Sequence, residues 1–520
     1  MCMMNERFLF RRRVGLLVLL WFAALMPASC LWAQASAELQ GVDLEAYTYD
    51  RWYLDTVDGQ NTGYTHEWVK IDGDQVLSGY ASYRVETHGG DLVESTSRTE
   101  WIETLELAPV SVTAESASGT EILRQTYRFV DGEVELTSEQ GGRQTRRTLA
   151  IPRGDWLTPM GLEIAWARHN AAGDDDFELT AWDPEMGAAV VTLGYQRQGE
   201  VQLAMPDGLQ AEVTSWATSH SLFQGVEMTE YRDAQGAVYG QRVSFAGLDI
   251  RGHLTDESVA EMDFDPPEMA QLSTVRPDRV IERPLRVRRA VYDLSFGADI
   301  DEDLLPLTTA HQSVERLDNG KVRVTVNLDE AQVADDPQDV DEVYLASSIM
   351  IDHTDEVVRD LTGRVRRHVG EDEDTLARSC RRFVTGHVTH VSLGVGSATA
   401  SEVARNRSGD CTECSVLLAA MLRACDIPSR CVTGLVYSDS EFAGQRDVFV
   451  YHMWTQAWIA SQDDAEPGRW VDLDAAVWRY TATHIALGAS AMDDASAAGD
   501  MIRMIPMMDG LEIEVVEAER

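Results

Sequence analysis

From Leu39 to about Met262 the chain alternates between apolar and polar residues, which is the period of a β-strand with one buried face. Clear examples are residues 80–87 and 125–129. Between the alternating segments stand residue pairs that tolerate the positive φ angles of tight hairpin turns. We therefore predict a β-rich domain over residues 36–262, formed by a curved antiparallel sheet. The turn pairs are Asp72-Gly73, Asp131-Gly132, Gly141-Gly142 and Asp207-Gly208.

The pattern changes after a stretch rich in proline. Residues 263–284 hold four prolines among acidic residues, which is typical of a linker. Strands are predicted in a β lead-in region over 285–345. Helices follow, because apolar residues recur every three or four positions in 355–368 and 374–388. We therefore predict an α+β domain over residues 346–520.

The helix that bears most on function is predicted to begin at Cys411. Asp410 can cap it, and Glu413 three residues later completes a capping box. Cys411 then lies in the first turn, where unpaired amides and the helix dipole favour an anion, so we expect its thiolate to be stabilised. The buried stripe of this helix is Cys414, Leu417, Leu418, Met421, Leu422 and Cys425.

Two aromatic-rich segments follow, residues 449–459 and the segment that ends at Asp474, and both are predicted to be strands. We expect them to pair antiparallel with Gln456 opposite Trp470. This register places His452 opposite Asp474, with Cβ atoms about 5 Å apart on one face.

An imidazole beside a carboxylate has its tautomer fixed and its cation stabilised. A thiol at a helix start packed on that face completes a nucleophile, a base and an orienting acid. The sequence therefore predicts a catalytic group of Cys411, His452 and Asp474. A register slip of two residues would put Asp472 in the place of Asp474.

The charge of the chain limits its partners. Asp and Glu number 87 against 44 Lys and Arg, which gives a formal net charge of −43. Such a field repels phosphate backbones and anionic lipid surfaces, so we expect no nucleic acid partner. No segment after residue 35 predicts a membrane span. The expected partner is a peptide or protein substrate, and the charge favours a cationic one.

The first 35 residues are predicted to be a cleaved signal peptide. Three arginines, 11–13, precede the 13-residue apolar run 14–26, and Ala33-Gln34-Ala35 offers the small residues that signal peptidase needs. We therefore expect an exported protein, periplasmic or extracellular after cleavage near Ala35. Lipidation of Cys30 is the lesser alternative, because Pro27 stands where a lipobox needs Leu or Val.

The five cysteines after residue 35 are not expected to form a disulfide framework. They are few for a chain of this length, and an odd number leaves at least one thiol free. A zinc site that includes Cys411 and Cys425 would have to bridge about 21 Å of helix. No other Cys or His set has ligand spacing, so we expect no metal and no cofactor. A redox pair of Cys411 and Cys414 remains an alternative, although the thioredoxin-like βαβ context is missing.

Several motifs together resemble the core of bacterial transglutaminase-like proteins, over about residues 346–490. The motifs are Gly-Asp-Cys-Thr-Glu at 409–413, Arg-Ala-x-x-Ile-Pro-x-Arg at 423–430, Gly-Leu-Val-Tyr at 434–437, His-Met-Trp at 452–454 and Trp-Val-x-Leu-Asp at 470–474.

The resemblance implies a papain-like α+β core, a helix packed on an antiparallel sheet, with Cys411 as nucleophile, His452 as base and Asp474 as orienting acid. One departure is Cys414, where relatives often carry His. The superfamily contains transglutaminases, peptidases, amidases and inactive relatives. We therefore expect an exported thiol-dependent acyl-transfer enzyme acting on amide or peptide bonds; the alternative is a catalytically inactive binding or scaffold protein of the cell envelope.

Overall fold

The computed structural model describes residues 43–520 except 89–90, 119–120, 263, 270–273, 298–299, 331–341, 371, 391–397, 443 and 462–467. The predicted signal peptide, residues 1–35, lies outside the described residues. The chain divides into two compact units, with the boundary between Pro267 and Glu268.

Within its described residues, the N-terminal unit has 14 strands in one antiparallel sheet, together with two α-helices. The helices are α1 (Pro159–Ala172) and α2 (Glu257–Ala260). The strands are β1 (Tyr49–Val57), β2 (Gln60–Asp72), β3 (Gln75–His88), β4 (Asp91–Thr104), β5 (Pro109–Ser118), β6 (Glu121–Val130), β7 (Glu133–Gln140), β8 (Arg143–Ala150), β9 (Asp176–Asp183), β10 (Ala189–Ala204), β11 (Gln210–His220), β12 (Glu227–Arg232), β13 (Val238–Phe245) and β14 (Leu248–Thr255).

Two meanders form this sheet. Strands β1 to β8 pair in chain order, strands β9 to β14 do the same, and β1 pairs with β14 to join them. The four predicted turn pairs connect β2 to β3, β6 to β7, β7 to β8 and β10 to β11. Gly73, Gly132 and Gly208 have φ angles of 64°, 86° and 83°, which explains why glycine is needed there.

Helix α1 lies in the region predicted to be β and is a difference from that prediction. Its buried residues Met160, Leu162, Ile164 and Trp166 alternate with a period of two, which imitates a strand. The segment is nevertheless a helix, and both of its ends are capped. The Thr158 side chain accepts a hydrogen bond from Gly161 N–H, and Gly173, in the left-handed conformation, follows the last turn.

The core of this unit lies between α1 and the sheet. Met160 and Ile164 pack with Val69, Val76 and Leu107. A second group is aromatic, and its rings meet edge to face: the ring of Trp182 in β9 lies 5.8 Å from Trp101 in β4 and 5.4 Å from Tyr127 in β6. These contacts fold edge strand β9 back over β4 and β6.

The C-terminal unit combines two smaller sheets with a group of helices. The helices are α3 (Glu356–Val369), α4 (Glu373–His387), α5 (Ala400–Asn406), α6 (Cys411–Arg423), α7 (Ala497–Ile502) and α8 (Ile505–Met508). The strands are β15 (Thr274–Val275), β16 (Arg289–Ser295), β17 (Gln312–Arg316), β18 (Val322–Asn327), β19 (Ser429–Ser438), β20 (Val448–Ile459), β21 (Arg469–Leu473), β22 (His484–Ser490) and β23 (Glu512–Glu519).

One sheet of this unit has five strands, in the order β15, β20, β19, β22, with β21 also paired to β20. The other has four, in the order β17, β18, β16, β23. Helix α6 packs against β20 and β19, and helices α3, α4 and α5 pack around it. One buried stripe was predicted for α6, whereas in the structure every residue of the helix except Thr412 is buried, because other elements enclose it.

Strands account for 47% of the chain and helices for 20%. The expected α+β class is therefore only partly correct, because the long N-terminal sheet makes the whole chain mostly β. Within the predicted linker, Thr274 and Val275 pair with Val450 and Phe449. Among the described residues, no helix is long and apolar enough to cross a membrane.

Candidate active site

Helix α6 begins at Cys411 with the capping box that its sequence predicts. The Asp410 side chain accepts a hydrogen bond from Thr412 N–H (2.8 Å), and the Glu413 side chain accepts one from Asp410 N–H (2.9 Å). A Cβ at Gly409 would lie 2.3 Å from Cβ of Glu413. Only glycine fits this approach to the helix, so the backbone fixes where the cysteine stands.

Hydrogen bonds attach the start of α6 to strand β20. The Thr455 hydroxyl donates to the Ser415 carbonyl (3.0 Å), and the Ser415 hydroxyl donates to the Cys411 carbonyl (2.7 Å). The Met453 backbone N–H donates to the Cys411 thiol. Because Met453 follows His452 in β20, the sulfur lies beside the backbone that carries the histidine.

The resting thiol of Cys411 does not behave as expected. It is fully buried, and this burial raises its pKa well above the usual range; the negative charges of Asp410, Glu413 and Asp474 act in the same direction. The Met453 N–H opposes this rise. The predicted thiolate is therefore wrong for the resting state, because burial of the sulfur, with the acids beside it, disfavours the charged form. The sulfur needs a base to lose its proton.

His452 and Asp474 are in direct contact. His452 Nε2 lies 2.7 Å from Asp474 Oδ2, and both side chains are fully buried. Asp474 Oδ1 accepts hydrogen bonds from the backbone N–H groups of Ala476 (2.8 Å) and Val477 (3.0 Å). His452 Nδ1 is buried with no hydrogen-bond partner within the described part of the chain. The carboxylate thus engages one ring nitrogen and leaves the other available.

The predicted strand register is wrong by two residues. Gln456 pairs with Asp472 rather than with Trp470, and β21 ends at Leu473. Asp474 therefore lies just past the strand. It still reaches His452, because diagonal neighbours across paired strands remain within reach of long side chains.

The two acids of this segment have opposite surroundings. Asp472 Oδ1 accepts hydrogen bonds from Trp454 (2.8 Å) and Gln456 (2.7 Å), but its Oδ2 has no partner among the described residues. Burial raises the pKa of Asp472. Burial acts on Asp474 too, but the charge and hydrogen bond of His452 bring the pKa of Asp474 well below its usual range. Asp474 is therefore the anion of the pair.

Sequence reasoning missed two residues of this site. His484 Nε2 lies 3.1 Å from Asp474 Oδ2. The Arg381 guanidinium donates to the carbonyls of Asp474, Val477 and Trp478, which holds the turn that carries the acid. A signal for His484 was present in the sequence, because it is the first residue of a segment whose other residues are small or apolar.

The donor atoms of His452, Asp474 and His484 lie within 4.8 Å of one another, a group close enough for a metal ion. Oδ2 of Asp474, however, lies at hydrogen-bond distance from both rings. Each Nε2 then carries a hydrogen that points at the carboxylate, whereas a metal would need the nitrogen lone pair. The geometry is that of a hydrogen-bonded network.

The other cysteines are part of the core. None of the five described cysteines forms a disulfide, and all are buried. Cys414, one turn after Cys411, lies in the stripe that packs inside the unit. Its position explains it without any chemical role.

The family model of the Transglutaminase-like superfamily matches residues 359–475. Residues 359–475 are a transglutaminase-like domain. The match begins in α3 and ends one residue after Asp474, so it includes Cys411 and His452. Membership supports a thiol-dependent enzyme in general.

Solved structures give weaker likenesses, and none of the curated proteins compared matches the chain. A β-barrel-like protein of a domain of unknown function from Brucella abortus has a TM-score of 0.32 at 11% identity, covering 40% of this chain and 96% of that one. A "Putative Cysteine Protease" from Cytophaga hutchinsonii has a TM-score of 0.25 at 14% identity, covering 44% and 86%. A "Putative Protease" from Parabacteroides distasonis has a TM-score of 0.18 at 11% identity, covering 68% of each chain.

Proposed function

We propose that the chain is an exported acyl-transfer enzyme that acts on amide or peptide bonds through Cys411, His452 and Asp474. The observation that carries the proposal is the state of His452. Its Nε2 is engaged by Asp474, its Nδ1 has no partner among the described residues, and the next residue of its strand contacts the Cys411 sulfur. A thiol with a raised pKa beside a free, oriented imidazole nitrogen is suited to proton transfer.

The first half of the reaction makes a thioester. The Cys411 proton passes to His452 Nδ1, and the sulfur attacks the substrate carbonyl carbon to form a C–S bond. The imidazolium, stabilised by the Asp474 anion, then gives its proton to the leaving amine as the C–N bond breaks. The Cys411 N–H lacks an intrahelical partner because it belongs to the first turn, and it is a suitable donor to the oxyanion.

The second half regenerates the enzyme. Water or an amine attacks the thioester carbonyl and gives a proton to His452, which returns it to the sulfur as the C–S bond breaks. Water as acceptor makes the enzyme a peptidase or amidase, and an amine makes it a transglutaminase. Because Cys411 and His452 are fully buried, the residues that cover them must move before a substrate binds.

The charge of the chain bears on the acceptor. A net charge of −43 attracts cationic peptides and opposes encounters between copies of the chain. Lys70 and Lys321 are the only lysines, and the Lys321 ammonium already contacts Glu514 at 2.8 Å. We therefore propose lysine-rich peptides as acceptors, with little cross-linking of the enzyme to itself.

The test incubates the purified chain with a glutamine-containing peptide and a fluorescent primary amine. Covalent incorporation of the amine supports transfer, and release of ammonia or cleaved peptide alone supports hydrolysis. Cys411→Ala should abolish either product. Cys414→Ala, which removes a sulfur one turn away, is the matched control and should retain activity.

The competing proposal is an inactive binding or scaffold protein of the cell envelope. An absence of product from folded wild-type protein across a peptide panel would favour it. Export is tested separately: N-terminal sequencing of secreted material should begin at Ser36, and a lipid-modified Cys30 at the terminus would contradict the cleavage site.

A further inference from the structure

Asp474 is shared between two histidines that approach from different strands. His452 stands in β20 and His484 opens β22, and their Nε2 atoms lie 2.7 Å and 3.1 Å from the same oxygen, Oδ2. The side chains of all three are at most 1% exposed. With the amides of Ala476 and Val477 on Oδ1, the carboxylate has four hydrogen-bond partners.

Strand order explains how the two rings meet. Strand β19 lies between β20 and β22, and its Gly434 pairs with His452 on one side and Ala486 on the other. A Cβ at Gly434 would lie 2.8 Å from the Trp454 ring and 2.0 Å from the Ile485 carbonyl oxygen. The missing side chain therefore lets the Trp454 ring and the backbone of β22 pack closely on β19, between the strands that carry the two histidines.

The proton positions of His484 follow from its other nitrogen. Nδ1 lies 3.3 Å from Thr481 N and 3.1 Å from Thr481 O. In the neutral ring Nδ1 accepts from the Thr481 N–H, and in the cation it donates to the Thr481 carbonyl. In either arrangement Nε2 carries a hydrogen and donates to Oδ2 of Asp474.

The ring of His484 is itself held in place. The Tyr480 ring centroid lies 4.4 Å from it and the Trp454 centroid 5.4 Å, the latter edge to face. Besides Asp474 and His452, the titratable groups that face it are Tyr480 and Asp472, with Arg381 behind Asp474 and Cys411 beside His452.

We propose that His484 is a positioning residue, which fixes Oδ2 of Asp474 so that His452 keeps Nδ1 turned to Cys411. The inference rests on the proposed function, because the position of His452 matters only if it exchanges a proton with the thiol. His484 touches neither the sulfur nor the substrate carbonyl in this scheme. Its effect passes through Asp474.

The matched variants are His484→Gln and His484→Asn. A glutamine amide reaches the place of Nε2 and can still donate to Asp474, whereas asparagine reaches only the place of Nδ1 and keeps the contact with Thr481. Iodoacetamide alkylation of Cys411, followed by mass spectrometry from pH 5 to 10, reads out the thiol without any substrate. Thermal unfolding of each variant reports the fold.

We expect alkylation of Cys411 in His484→Gln to stay within about threefold of wild type, and in His484→Asn to slow roughly tenfold, the size of one lost hydrogen bond to a charged group. The pH at which half the thiol reacts should move upward in His484→Asn alone. Equal rates in both variants, or a tenfold slower rate in a folded His484→Gln protein, would overturn the inference.

The two proposals fail differently. If wild-type Cys411 reacts no faster than it does in His452→Ala, the catalytic group itself is wrong. If Cys411 is alkylated rapidly in the wild type and equally rapidly in His484→Asn, only the role of His484 is wrong. If His484→Asn does not fold, the result for His484→Gln still decides, because a residue needed only as a donor tolerates glutamine.

Discussion

Both units of this chain bury carboxyl groups, but the pKa of Asp474 in the C-terminal unit and those of two glutamates in the N-terminal unit are shifted in opposite directions. In the C-terminal unit, the Asp474 carboxylate accepts from two imidazoles and two backbone amides, and its pKa is well below the usual range. In the N-terminal unit, burial raises the pKa of Glu67 and of Glu103 to about 8. One oxygen of each glutamate has no partner among the described residues.

The difference shows what converts a buried acid into a functional one. Burial favours the neutral form in every case, and only a surplus of donors or cations reverses it. Glu103 has the Ser78 hydroxyl at 3.4 Å, the Thr158 hydroxyl and the Met160 N–H as donors, and these neutral groups do not outweigh its burial. Asp474 keeps its charge in a dry site, where it can stabilise an imidazolium. The glutamates keep a proton and make the N-terminal core sensitive to pH.

The largest effect is expected from Asp474, just past the end of β21, when it is compared with Asp472 inside the strand. Asp474→Asn removes the anion that orients His452, and we expect the rate of acyl transfer or peptide cleavage to fall by about 10³-fold or more. Asp472→Asn replaces an acid whose pKa burial already raises, so the loss should stay within about fivefold. Steady-state kinetics on the two folded variants checks this. Equal losses would remove the distinction between the acids.

The next effect concerns stability. The pKa values of Glu67 and Glu103 are raised in the folded state, so the folded chain binds more protons than the unfolded one and stability falls as pH rises towards about 8. Between pH 6.5 and 8 each buried glutamate should cost about 2 kcal/mol. Partly buried His220, whose pKa desolvation lowers to about 4, opposes this trend only below pH 6.5.

Hydrogen exchange of peptides from residues 60–140 in the whole chain measures this loss. Glu103→Gln keeps the shape of the side chain without the ionisation, and should flatten the pH dependence. Glu100→Gln, on the same strand but partly exposed, is the control and should change little. If the exchange rate, corrected for the intrinsic rate, decreases as pH rises, the assignment of Glu67 and Glu103 as protonated in the folded chain is contradicted.

A smaller effect separates the two cysteines of α6. Cys414 is buried in the apolar stripe, so Cys414→Ala should lower the free energy of unfolding by about 1 kcal/mol while activity persists. Urea unfolding and the amine-incorporation assay measure the two quantities. Loss of activity in a stable Cys414→Ala protein would instead favour the redox pair.

The smallest expected effect is that of a chelator. The network around Asp474 is satisfied by hydrogen bonds, so dialysis against EDTA should leave the reaction rate unchanged. Activity that is lost on dialysis and restored by zinc or calcium would mean that His452, Asp474 and His484 bind a metal.

Local signals predicted the local structure well. The capping box at Asp410 and the apolar period of α6 place Cys411 correctly, because both depend on residues within one helix. The same reliance on local pattern failed for α1, whose apolar residues alternate like those of a strand.

Features that depend on several strands were harder to predict. The predicted register of β20 and β21 differs from the observed one by two residues, because the loop between the strands does not determine where pairing begins. His484 went unnoticed because its contact with Asp474 crosses β19. A thiolate was expected at Cys411 from its place in the first helical turn alone, whereas full burial of the sulfur, which depends on the tertiary packing, raises its pKa most.

The most direct test of the central claim is the alkylation rate of Cys411 by iodoacetamide at neutral pH, in wild type and in His452→Ala. The account predicts that wild-type Cys411 reacts faster than the four other described cysteines, and that loss of His452 slows it by about 100-fold or more. Equal rates in wild type and His452→Ala would contradict the account, because Cys411 would then lose its proton without the histidine.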